Sequence, residues 1–266
     1  MMTSAPSQLA TRLIDIVFPG DTNHHGTLFG GIGLASMDKV AFIAASRHAR
    51  VDFVTASCEG IDFKAPAHLG DIVELVGRVV RVGTRALTAE VEMIAEAPLS
   101  GERRLCGSGR FNMVAVGDGL ILYDGRLPPL PTGPAPADSG LRMVELVFPD
   151  QTSHYGSLYG GNALAAMAKS AFVVATRHCR RTVVLASSQR VDFVSQVQNG
   201  EVVELAPRLA NTGQRSMTIE VGLWAENLQT GIRRQCGQGT FVMVAVDTAQ
   251  KLAEAVTRHT PIAYPL

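Results

Sequence analysis

The sequence predicts an α+β chain of two tandem units, each a long central helix wrapped by an antiparallel sheet. Three observations predict it: an internal repeat, a change of hydrophobic period inside each copy, and a proline-rich stretch between the copies. Aligning Phe18-Pro19 with Phe148-Pro149 gives a match that runs without a gap to Val116 and Val246. About 45 of roughly 100 aligned positions are identical, far beyond chance. HHGTLFGG pairs with HYGSLYGG, and GERRLCGSGRF pairs with GIRRQCGQGTF. Between the copies, Pro128, Pro129, Pro131, Pro134 and Pro136 lack the N–H a ladder needs and favour an extended linker. The expected organisation is a first unit at 9–120, a linker at 121–140 and a second unit at 141–250.

The elements of copy 1 follow in order. Leu13 to Phe18 reads as a short strand ended by Pro19 and a polar loop. After Gly30-Gly31, the residues Leu34, Met37, Ala41, Ala44 and Ala45 recur at helical spacing in an alanine-rich stretch. Arg47 and His48 fall in its last turn, where cations favour the helix dipole; His48 and His178 are read as dipole or packing residues. Four β-rich segments follow, near 54–64, 71–82, 85–96 and 103–116, with turns at Gly70-Asp71, Gly83-Thr84 and Pro98 to Gly101. Alternation across Thr88 to Met93 marks a strand with one buried face. A single unit would leave a helix flank or sheet edge poorly covered, so the copies should pair. The expectation is one continuous sheet, joined edge to edge, with the helices side by side.

Composition narrows the function. Apolar residues reach 46% of the 266, and Lys plus Arg equals Asp plus Glu at 24 each. Zero net charge argues against a nucleic-acid binder that relies on a general basic field. No apolar run approaches the ~20 residues of a membrane span, and the N-terminus has no signal-type apolar region. Cys58, Cys106, Cys179 and Cys236 form no CxxC, which fits buried free thiols in a reducing cytoplasm. No metal or redox cofactor is implied.

The densest cluster of reactive types is DTNHHGTLFGG and the helix that carries Asp38. Gly30-Gly31 at a helix start permits close backbone approach, and free N–H groups there favour developing negative charge. The alternative is that Gly30, Gly31, Gly160 and Gly161 only permit a tight turn. Asp38 is either solvated at the edge of the apolar stripe or placed for chemistry. The repeat bears on this: Asp38 becomes Ala168 and Asn23 becomes Ser153, while Met37/Met167 and Lys39/Lys169 are unchanged. Loss at these polar positions suits a site needed only once.

The run Asp21 to Gly31, then Met37-Asp38, then Glu59 to Pro66 and Gly70-Asp71, resembles the hotdog-fold acyl-CoA thioesterases. Ala175 to Cys179 resembles the same helix end in their tandem, double-hotdog acyl-CoA hydrolases. The resemblance covers both copies. It implies sites at the interface of two hotdog units, with Asp38 as general base or nucleophile and Asn23 orienting water or substrate. It also implies glycine N–H groups polarising the thioester carbonyl. Crossing between copies would set Asp38 against Ser153, His154 and Gly160-Gly161, and Asn23 against Ala168, with activity expected from the first. The matched arginines, Arg47/Arg177, Arg85/Arg215 and Arg103-Arg104/Arg233-Arg234, are candidate partners for the phosphates of coenzyme A. The resemblance further implies a homo-oligomer, a trimer of double hotdogs. Two rival readings remain. One is a hotdog dehydratase or hydratase on acyl thioesters, for which His24 precedes Asp38 although a Gly-His-Phe-Pro loop is absent. The other is a regulatory protein that binds acyl-CoA without turnover.

Overall fold

The computed structural model describes residues 10–117, 124–131 and 141–246. Copy 1 runs β1 (Thr11–Ile16), α1 (Gly30–Ala49), β2 (Asp52–Phe63), β3 (Ile72–Val82), β4 (Ala86–Glu96) and β5 (Arg103–Val116). Copy 2 repeats it as β6 (Met143–Leu146), α2 (Gly160–Cys179), β7 (Val183–Phe193), β8 (Val202–Thr212), β9 (Ser216–Glu226) and β10 (Arg233–Ala245). Each sheet is antiparallel and five-stranded, in the orders β1-β3-β4-β5-β2 and β6-β8-β9-β10-β7. This is the two-unit architecture the repeat predicts and the double hotdog the resemblance implies.

The helix face is the one the spacing marks. Met37, Ala41, Ala44 and Ala45 are buried, while Leu34 is half-buried and packs at the core's margin. Fully buried side chains such as Met37 and Ile43 contribute ~1.5–3 kcal/mol each. Leu87, Ala89, Val91, Met93 and Ala95 alternate inward along β4 to meet them. The helix crosses β3 closely at Gly77, where an added Cβ would lie 2.6 Å from Val40. In copy 2 the matched residues are Pro207 and Ser170. Pro207 is tolerated because β6 pairs with β8 only as far as Leu205, so no ladder donor is lost on that side.

The continuous sheet is not formed. No ladder joins the two sheets among the described residues; β1 and β6 instead lie against each other through side chains. Ile14 and Ile72 of copy 1 belong to the copy 2 core, and Val144, Leu146 and Val202 belong to the copy 1 core. Interdigitated apolar residues thus replace the expected strand pairing. The opposite edges, β2 and β7, are exposed along most of their length.

The linker also differs from a free spacer. Leu127 is buried against copy 1, and its N–H donates to Thr84 O at 2.9 Å. His48 Nε2 lies 2.8 Å from Pro128 O. Burial pushes the His48 imidazole below its usual range despite that bond, so it is neutral and Nε2–H donates. Part of the linker is therefore a strap, and His48 is a packing residue whereas His178 is exposed. Pro134 and Pro136 lie outside the described residues.

Charged groups at the helix ends lock the copies together. Arg50 closes α1 in the left-handed region (φ 54), and Arg180 closes α2 in the same way (φ 52). That conformation is strained for arginine, and it turns each guanidinium onto the other copy. Arg50 donates to Glu226 Oε1 (2.7 Å), and Arg47 donates twice to Oε2 (2.8 and 2.6 Å). Reciprocally, Arg180 donates to Glu96 Oε1 (2.6 Å) and Arg177 to Oε2 (2.9 Å). The Arg180 guanidinium lies over Gly101, where a Cβ would approach its Cζ to 2.9 Å. No helix among the described residues is long and apolar enough to cross a membrane.

Burial would raise the carboxyls of Glu74, Glu96 and Glu226, but the arginines outweigh it and hold all three below the ordinary 4.5. The unfolded chain then binds more protons than the folded one just below that pH. The clamp's contribution is complete above about pH 4.5 and is lost as pH falls through the lower folded values. Glu96→Gln, which leaves Arg177 and Arg180 short of their carboxylate, should cost about 3 kcal/mol in urea unfolding at neutral pH. It should also flatten the loss of stability in acid; an unchanged midpoint and slope would remove the clamp from the account.

Candidate active site

The loop before α1 is shaped by its own polar side chains. Asn23 Oδ1 accepts the N–H groups of His25 (2.9 Å) and Thr27 (3.3 Å), and Asn23 Nδ2 donates to Thr27 Oγ1 (3.0 Å). This is an Asx turn completed by Gly26 at φ 71. Ser153 does the same work in copy 2, accepting from Tyr155 N–H at 3.3 Å. The structure thus places Asn23 in the closure of its loop. His24 and His154 are exposed and stack on His25 and Tyr155 (centroids 3.8 Å); neither hydrogen-bonds Asp38.

At the helix start the chain turns by Gly30-Gly31. The N–H groups of Ile32 and Gly33 are taken by Phe29 O (2.9 and 3.1 Å), which leaves those of Gly30 and Gly31 with no acceptor among the described residues. The two glycines serve different needs. A Cβ on Gly31 would sit 2.6 Å from the Phe29 ring, and one on Gly161 would sit 2.8 Å from Tyr159. The second glycine of each pair therefore makes room for the aromatic ring folded back over the helix start. Gly30 has no neighbour nearer than 3.8 Å, and Gly160 has none within 4 Å, so there the backbone is open to approach. Beside Gly30 lies an apolar cavity of about 320 Å³ lined by Leu28, Phe63, Pro66 and Met93.

Asp38 is half-buried and faces β2. Thr55 Oγ1, on that edge strand, donates to Asp38 Oδ1 at 2.6 Å. A charge-assisted bond this short orients the carboxylate and leaves Oδ2 free to accept a proton. The sequence reading missed Thr55. The available signal was its replacement by Leu185 in the same copy that lost Asp38 and Asn23. The next helix residue, Lys39, faces the other way, with its ammonium 5.3 Å from the Phe148 ring of copy 2. Lys169 likewise reaches Asp15 of copy 1 at 2.9 Å. Successive helix residues are turned by about 100°, so the Lys39 flank meets copy 2 and the Asp38 flank meets the open β2 edge. Among the described residues no hydrogen bond joins Asp38 to Ser153, His154, Gly160 or Gly161. Nor do donors converge within copy 1. Gly31 lies seven residues before Asp38, about 10 Å along the axis, with its N–H directed away from the carboxylate.

The arginines are mostly committed elsewhere. Arg47 and Arg177 belong to the clamp. Arg103 and Arg233 pair with Glu74 and Glu204 (2.6 Å each). Arg104 pairs with Asp71 and also donates to Pro66 O at 2.9 Å; its match, Arg234, holds Glu201 at 2.7 Å. Each bonds a carboxylate with a nearly buried side chain, so none can leave that carboxylate to follow a phosphate without leaving a buried charge unpaired. Arg85 is exposed, and its side chain has no partner among the described residues. All four cysteines are free; Cys106 and Cys236 are buried, as expected, but Cys58 is exposed. No cluster suited to a metal ion occurs among the described residues.

With this geometry in view, a family model described as the thioesterase superfamily matches residues 25–101 and again 155–232. The crystal structure of an acyl-CoA hydrolase from Agrobacterium tumefaciens is 53% identical, with a TM-score of 0.83 over 90% of this chain and 96% of that one. An uncharacterized acyl-CoA thioester hydrolase of Bacillus subtilis is 42% identical over 100 residues, 38% of this chain. A cytosolic acyl coenzyme A thioester hydrolase of Rattus norvegicus is 23% identical over 252 residues, 77% of this chain. The matches span 58% and 66% of the lengths of those two curated relatives.

Proposed function

The chain belongs to the thioesterase superfamily, and we propose that it hydrolyses acyl-CoA to a carboxylic acid and coenzyme A at a site built on Asp38. The observation that carries this reading is the Asp38–Thr55 pair, oriented at 2.6 Å in copy 1 and replaced as a unit by Ala168 and Leu185 in copy 2. Asp38 takes a proton from water as the oxygen adds to the thioester carbon. Free helix-start N–H groups stabilise the oxyanion. Collapse of the intermediate breaks the C–S bond, and the thiolate leaves with the proton that Asp38 accepted. The apolar cavity beside Gly30 suits the acyl or pantetheine chain, and Arg85 is the matched arginine best placed to meet a phosphate. Arg104 would contribute by bracing Pro66 at the cavity wall.

The helix-start N–H groups of its own copy point away from Asp38, so a helix start from another unit has to supply the oxyanion donors. Within the chain, the Asp38 flank looks out over the open β2 edge. We therefore place the crossing between chains: β2 of one chain meets β7 of the next, bringing a Gly160-Gly161 start and Ser153 toward Asp38. Each chain has two open edges, and three chains in a ring would satisfy them all, giving the trimer of double hotdogs. Sedimentation velocity should find three chains in the particle, and a stable monomer at full activity would refute this assembly. The rat relative supports a cytoplasmic location.

The central test is thiol release from a panel of acyl-CoAs. Loss of a base that activates water costs about 10²–10⁴-fold in turnover, ~3–5 kcal/mol. Asp38→Asn should fall by that factor with its fold and acyl-CoA affinity intact. Tight acyl-CoA binding by the wild-type chain with no thiol released would instead select the binding protein.

A further inference from the structure

The face of the copy 2 sheet turned away from α2 holds a trough of about 900 Å³. Its floor is Gly222 on β9, against which the Trp224 indole leans so that an added Cβ would lie 3.2 Å from its Nε1, with Arg142, Arg190, Arg208 and Arg233 around the rim. Two of the arginines are fixed in place: Glu204 accepts from Arg142 and from Arg233, each at 2.6 Å, and its side chain is 10% exposed. Arg233 also lies over the Trp224 ring, 4.4 Å from its centroid. Bonds to Glu204 and contact with the indole together hold that guanidinium rigid.

The other two arginines are differently placed. Arg190 pairs with Asp192 and Arg208 with Glu220, but both pairs are open to solvent, with arginine side chains 85% and 70% exposed. Exposed pairs of this kind are weak and readily exchanged for a better anion. A guanidinium has five donors in a planar fork, so even a paired one can bind phosphate oxygens.

Comparison of the copies shows that the residues lining the trough differ between them. In copy 1 the position of Gly222 is Glu92, whose half-exposed carboxylate pairs with Arg78 at 3.9 Å. Gly60 stands where copy 2 has Arg190, Ile94 where it has Trp224, and Val76 where it has Ala206. Arg110 in copy 1 is Thr240 in copy 2, which removes one cation and a long side chain from the rim. The changes thus remove a carboxylate from the floor, move one guanidinium from the Arg110 position to Arg190, and set an indole in place of an aliphatic side chain. Apart from buried Val76, the changed positions lie on the sheet face away from the core, so core packing does not require them.

We propose that this trough is a binding site for a small phosphate-bearing anion, gripped by Arg190, Arg208 and Arg233 above Gly222 and separate from the Asp38 site. The proposal does not rest on thioester hydrolysis. It concerns the other copy and the opposite face of its sheet, so it stands or falls independently of that chemistry.

Trp224 is the single tryptophan of the chain, which makes the site directly observable. The full-length protein would be titrated separately with inorganic pyrophosphate and with ADP, following tryptophan fluorescence and the rise in Tm that ligand binding produces. A saturable fluorescence change with a matching rise in Tm is expected, weakening steeply as salt is added. Equal affinities would assign recognition to the phosphates alone, and tighter ADP binding would add a contact to the nucleoside; both support the site. Gly222→Glu, which restores the copy 1 carboxylate, should weaken binding by more than about tenfold. Arg190→Gln should weaken it as well while leaving the fold intact, so the test survives if Gly222→Glu does not fold. Absence of saturable binding to either probe would overturn the proposal, as would binding that neither substitution weakens.

Discussion

Two buried glutamates, Glu96 and Glu226, are each neutralised by the helix-end arginines of the opposite copy, and the relation of the two units depends on this exchange. A carboxylate placed at the end of an inner strand would be costly to bury alone. The arginines that relieve that cost sit on the last turn and cap of the other helix, and two of them accept a left-handed backbone to do so. Charge neutralisation therefore fixes where each helix ends relative to the neighbouring sheet. The interleaved apolar residues of β1 and β6 then fill the space this sets, so neither copy completes its core alone.

That arrangement determines where chemistry can occur. With the Lys39 flank of α1 committed to copy 2, the flank with Asp38 is left to face β2, whose outer edge is open. Thr55 on that strand orients the carboxylate. Copy 2 keeps the scaffold, including clamp, glycines and loop, but has lost the acid, its threonine partner and the asparagine. The two copies thus share a scaffold and differ at these three polar positions. In the function proposed above, copy 1 holds the reactive group, and copy 2 supplies structure and, on its far face, a trough lined by arginines.

Much of the fold was legible because it rests on local pattern. Repeat matching aligned the copies, helical spacing marked the buried face of α1, and alternation marked β4. The failures were all contacts between segments distant in sequence. Arg47 and Arg177 looked like phosphate ligands because their partners, Glu226 and Glu96, are visible only once the copies are paired. The linker prolines pointed to an extended linker, and nothing in the sequence marked that Leu127 and Pro128 are bound by Thr84 and His48. The continuous sheet was expected from the cost of open edges, but side-chain interdigitation covered β1 and β6 without a ladder. At the site, the copy comparison singled out Asp38, but spacing alone carried no sign that Asn23 closes its own turn.

The central claim is that reactivity resides in an oriented carboxylate that one copy retains and the other has lost. It is tested most directly by moving that pair. In a chain already carrying Asp38→Asn, the changes Ala168→Asp and Leu185→Thr would rebuild the pair on α2 and β7, and thiol release from acyl-CoA would be measured. The account predicts that turnover returns well above that of Asp38→Asn alone, since copy 2 keeps the same scaffold. Turnover that stays at the Asp38→Asn level in a folded protein would contradict it.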